Sequence, residues 1–139
     1  MDLPIEPQSS ASSPPELLQL TYEFSENGIR SAVERGRIGS YVLGFSAPHA
    51  GTKTTIFHPT RVGRSDSDLQ DELLAQLAKK QPWYDRFKFD YAITVREAFE
   101  RECREFHLAV GVIDNGKHPE PPVGTNLPCP VPNCDALRT

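Results

Sequence analysis

The 139-residue sequence predicts an α/β fold of the α+β kind: a small three-stranded antiparallel sheet packed with helices. Three observations carry this. Phe87, Phe89, Tyr91 and Ile93 alternate with Lys88, Asp90 and Ala92, which is the period of a half-buried strand. Two further strand-like runs lie upstream, joined by a loop holding Pro48 and Gly51. Two segments of helical period each open on a capping signal.

The elements follow in order. Residues 1–15 are rich in Ser and Pro and are expected to be a disordered segment or linker. The domain proper is expected over 16–110. A short helix is expected around Asn27–Arg35, closed by Gly36. Strand one is expected over Gly39–Phe45, with Tyr41, Leu43 and Phe45 on one face and Val42 on the other. A hairpin loop over Ser46–Lys53 leads to strand two at about Thr54–Val62. Pro59 interrupts that strand, which implies an edge position or a bulge. Ser67-Asp68-Leu69-Gln70 reads as a capping box. Leu69, Leu73 and Leu77 then repeat every fourth residue until Pro82. Strand three is expected over Phe87–Ile93. Thr94-Val95-Arg96-Glu97 starts a second amphipathic helix. Residues 111–139 form a Pro-rich tail, read as loop.

That last helix contains the most informative residue. Val95, Ala98, Phe99, Phe106, Ala109 and Val110 share one face, and Glu102 falls near its centre. A buried carboxylate is costly unless paired, hydrogen-bonded or metal-bound. Glu102 is therefore a functional candidate; the plainer reading is a carboxylate held by a nearby Arg.

Gly39-Ser40-Tyr41 on strand one, Arg61-Val62-Gly63 ending strand two, and Glu102 on the later helix together resemble the GIY-YIG nuclease superfamily, over roughly residues 38–110. The resemblance implies a phosphodiester hydrolase. Tyr41 would help activate water, and Glu102 would hold one Mg²⁺ or Mn²⁺. Two positions depart from the family pattern. Arg61 stands where the family has its second Tyr, and Glu72 stands where it has an Arg. Arg61 and Arg64 flank Gly63 and suit phosphate clamping. Arg64 is the candidate to supply the charge lost at Glu72. The alternative is a catalytically inactive module that keeps the scaffold and recognises a protein or nucleic acid.

A second constellation is Cys103, His107, Cys129 and Cys134. Cys103 and His107 are one helical turn apart, and Cys129 and Cys134 form a C-x₄-C pair within structural-zinc spacing. Together they would make a Cys₃His site that folds the tail back, with His118 as a spare ligand. The alternative is a buried helix thiol, a surface His and two tail thiols that never meet. A third reading follows, a small zinc-stabilised interaction domain.

Net charge is −4, which argues against general nucleic-acid affinity. No apolar run reaches transmembrane length, no signal-peptide pattern opens the chain, and three cysteines do not suggest a secreted scaffold. No membrane partner and a cytoplasmic location are the expectations.

Overall fold

The computed structural model describes residues 16–17, 20–48, 50–52, 54–79, 84–109, 113–132 and 134. The first fifteen residues, Pro82 and Val110, all named above, lie outside them. The chain order is β1 (Glu16–Leu17), β2 (Tyr22–Glu23), α1 (Glu26–Ala32), β3 (Gly39–Pro48), β4 (Thr55–Ser65), α2 (Leu69–Ala78), β5 (Arg86–Tyr91) and α3 (Val95–Leu108).

The fold is α+β and antiparallel, as expected, but the sheet has five strands in the order β1-β4-β3-β5-β2. The three expected strands form its centre. β1 and β2 add two residues each; so short a run holds no readable period. β3 continues to Pro48, so the expected loop over Ser46–Lys53 is shorter than the sequence suggested. Strand three stops at Tyr91, and Ile93 is 91% exposed: it precedes the Thr94 cap and faces solvent.

Pro59 sits at a bulge. Leu43 pairs with Arg61 while Gly44 pairs with Pro59, which leaves Thr60 as the extra residue. The bulge has a packing consequence. Phe57 and Val62 are five apart, so strict alternation would put them on opposite faces. The inserted residue restores them to one face, where both are buried with Val42 against Phe106 of α3. The other face carries Tyr41, Leu43 and Phe87, packed on Ile29 of α1 and on Leu69 and Leu73 of α2. The sheet is thus covered on both sides, by α1 and α2 on one and by α3 on the other.

The helices begin where local chemistry dictates. Asp68, not Ser67, caps α2; its carboxylate accepts from the Asp71 N–H, and its other oxygen accepts from the Gly36 N–H at 3.0 Å. Gly36 has φ of 78°, a conformation that costs other residues energy. Thr94 caps α3 by accepting from Glu97 N. No helix among the described residues is long and apolar enough to cross a membrane.

Candidate functional site

β1 covers β4 only at Ile56 and Phe57. Beyond the bulge no strand among the described residues lies on that side of β4, and side chains from both faces of the sheet meet around the edge. They line a cleft of about 390 Å³ that includes Tyr41, Arg61, Gly63, Arg64, Glu72 and Glu102. Every residue singled out for phosphodiester chemistry is therefore in one place. Their connections are specific. Arg64 Nη1 donates to Glu102 Oε1 at 2.7 Å, and its Nε and Nη2 donate to both Asp66 oxygens at 2.8 and 3.1 Å. The Arg64 guanidinium also lies 5.2 Å from the Phe99 ring centroid. The plainer reading of Glu102, a carboxylate held by an Arg, is what the fold provides.

Tyr41 Oη donates to Glu72 Oε2 at 2.9 Å, and Gln76 donates to the same oxygen at 3.1 Å. Gly63 leaves the room that Tyr41 needs, because a Cβ there would strike the phenol ring and hydroxyl. Burial, together with the Glu72 carboxylate, holds the Tyr41 phenol well above its ordinary range. Burial raises the Glu102 carboxyl, and the Arg64 guanidinium opposes that rise. The tail closes the open side. Asp114 accepts from Arg61 Nη1 at 3.0 Å and from the Tyr84 hydroxyl. Glu120, Pro121 and Val123 line the cleft. Arg61 and Arg64 thus face Asp66, Glu72, Glu102 and Glu120, a surplus of carboxylate.

The second constellation forms with one substitution. His107, His118, Cys129 and Cys134 bring one ligand atom each within 4.8 Å of all the others. His118 takes the place expected for Cys103. Cys103 is fully buried beside Phe99, and its thiol is hydrogen-bonded to Cys129, one member of the group. Burial raises the Cys103 thiol, so it stays a donor. This His₂Cys₂ group could bind a metal such as zinc. The Nε2 atoms of His107 and His118 are 3.2 Å apart, and Cys134 Sγ is 3.4 Å from His118 Nε2. Edges of a tetrahedral zinc site run about 3.3 Å for N···N and about 3.6 Å for N···S. His118 Nδ1 contacts the Pro119 carbonyl at 2.8 Å. A carbonyl only accepts, so Nδ1 carries a proton, and in the neutral ring Nε2 then turns a lone pair toward the cluster, as in a metal ligand oriented by a hydrogen bond from its other nitrogen. Burial and the neighbouring His118 lower the His107 pKa, which favours the neutral ring that ligation needs. The three thiols are free.

Asp114 and Asn115 dock on β4, at positions that no catalytic or ligand motif in the sequence marks. The Asn, Gly and Pro content around them reads as turn chemistry, and the signal that they dock on β4 is absent from local pattern.

Comparisons with protein-family models, with curated proteins and with solved structures gave no match.

Proposed function

We propose that the chain is a nuclease-like module that binds without cleaving, stabilised by structural zinc at His107, His118, Cys129 and Cys134. One observation carries the loss of catalysis. The groups that hydrolysis would use are already committed: Arg64 to Glu102 at 2.7 Å, and Tyr41 to Glu72 at 2.9 Å. A Tyr41 phenol held far above neutrality does not act as a base, and a Glu102 oxygen committed to Arg64 is a poor start for a Mg²⁺ or Mn²⁺ site. The carboxylate surplus repels a phosphate backbone and suits a donor group, an ammonium or guanidinium, presented by a protein partner. Four protein ligands would close the zinc site to water, so the metal would serve folding.

Metal-dependent phosphodiester hydrolysis is the second reading. The convergence of Tyr41, Arg64 and Glu102 on one cleft favours it, as does the order β3, β4, α2, β5, α3 with GIY-YIG-like residues in sequence. The test is incubation with plasmid, single-stranded and branched DNA plus Mg²⁺ or Mn²⁺. The expected result is no cleavage by the natural protein. Glu72→Arg with Arg61→Tyr should raise nucleic-acid affinity, since it removes an anion and restores a phosphate-facing cation. Cleavage by the natural protein, lost in a folded Glu102→Ala variant, would overturn the binding reading.

A further inference from the structure

Residues 113–123 run from the open edge of β4 to the rim of the cleft, with His118 between. At one end the backbone is fastened like an added strand. The Asp114 N–H donates to the Thr60 carbonyl at 2.6 Å. The Asn115 side chain then imitates a peptide: its Oδ1 accepts from the Val62 N–H and its Nδ2 donates to the Val62 carbonyl, both at 2.9 Å. Asp114 occupies Arg61 and Tyr84 at the same point. At the other end the chain turns at residues 122–125, where Thr125 bonds back to the Pro122 carbonyl and Gly124 has φ of 81°. It then reaches Cys129 and Cys134. Pro119, Pro121 and Pro122 stiffen the stretch between.

We propose that this segment is a strap, and that the metal centre and the cleft are coupled through it. The inference rests on the reading of the His/Cys cluster as a metal site. With metal bound, His118 is anchored to α3 through His107, and the strap keeps Asp114 on Arg61 and Asn115 on the β4 edge. Without metal the anchor is lost. The Thr60–Val62 edge and Arg61 are then uncovered, and the cleft widens on the side that Glu120, Pro121 and Val123 line. Coupling between two sites is reciprocal in free energy. Loosening the strap at Asn115 must therefore weaken metal binding, although Asn115 touches no ligand atom.

The experiment uses the full chain loaded with zinc, its stoichiometry measured first by elemental analysis. Hydrogen exchange is followed at the Val62 amide before and after removal of zinc by a chelator. Protection at Val62 should fall at least tenfold while the amides of β3 and β5 keep theirs. Zinc affinity is measured by competition with a chromophoric chelator. Asn115→Ala and, separately, Asp114→Ala should each weaken it by about fivefold or more. If metal removal unfolds the whole chain, this affinity measurement decides. Unchanged zinc affinity in both variants overturns the coupling, as does Val62 protection that survives zinc removal in a folded chain. A chain that takes up no zinc, with three freely titrating thiols, overturns the metal reading itself and the strap's coupling with it.

Discussion

Arg64 and Glu102 show how one residue position can be legible while its role is not. Glu102 stood out because a carboxylate interrupts an apolar helical face. Which neighbour satisfies it depends on a residue 38 positions away, across a strand, a turn, a helix and a second strand. No local period encodes that. The pair is nearly dry, with side-chain exposures of 12% and 9%. Removing one partner of such a pair leaves a buried charge, at a cost of about 3–5 kcal/mol. Arg64→Leu should be destabilised on that scale at neutral pH. Arg64→Leu with Glu102→Leu should recover much of the loss, because a packed apolar pair has no charge to desolvate. The pH dependence has a fixed sign. Glu102 is raised above its ordinary value in the folded protein, so the folded state holds the proton more tightly than the unfolded state. Stability therefore declines as pH rises from the unfolded carboxyl value through the folded one. Without Arg64 nothing opposes the rise from burial, and the window extends upward. Denaturant unfolding of Arg64→Leu at pH 5 and pH 7 should show a smaller penalty at pH 5; an equal penalty would mean that Glu102 finds another cation.

At the scale of elements, the period of two and the period of 3.6 were strong guides wherever a run was long enough to hold them. β5 and α3 read correctly, and Pro59 marked the bulge. The two-residue strands β1 and β2 were invisible because pairing, not pattern, defines them. Ile93 was misassigned because alternation continues one step past the last ladder bond. The strap was unreadable for a different reason: Asn115 completes the sheet edge with a side-chain amide, and turn composition hides that geometry. The bulge offers the sharpest test of how the elements are registered. Deleting Thr60 removes the extra residue, and regular alternation would then drive either Phe57 or Val62 out of the α3 interface. Both are buried, Phe57 completely. Fully burying one such side chain contributes about 1.5–3 kcal/mol, and the slip would also displace Arg64 from Glu102. The deletion should abolish cooperative unfolding or lower the midpoint far more than Thr60→Ala, as read by thermal denaturation. A deletion variant as stable as Thr60→Ala would show that β4 shifts its register freely.

Across the whole molecule, sequence and structure agree on where chemistry gathers and disagree on its wiring. Tyr41, Arg61, Gly63, Arg64 and Glu102 share one cleft, yet Arg64 is bonded to Glu102, Tyr41 to Glu72 and Arg61 to Asp114. Cys129 and Cys134 return to α3 and pack against Cys103, yet the side chains that converge with them as a possible ligand group are His107 and His118, and Cys103 is not among them. The tail has little core of its own: Leu127 and Val131 are partly buried against Phe99, Cys103 and the two tail cysteines. So small an apolar cluster cannot by itself offset the entropy of ordering more than a dozen residues, which costs roughly 1–2 kcal/mol each for the backbone alone. A zinc ion held by His107, His118, Cys129 and Cys134 would supply the difference, because ligands that meet only in the folded chain turn binding energy into folding energy. Protein purified without chelator should carry near one zinc per chain. Chelation should lower the melting temperature by several degrees, and Cys129→Ser should have a similar effect without chelator. Cys103→Ser should keep its zinc, since Cys103 lies outside the converging group of His107, His118, Cys129 and Cys134. Loss of stoichiometric zinc in Cys103→Ser with zinc retained in His118→Ala would restore the Cys₃His arrangement expected from spacing and reject the His₂Cys₂ one.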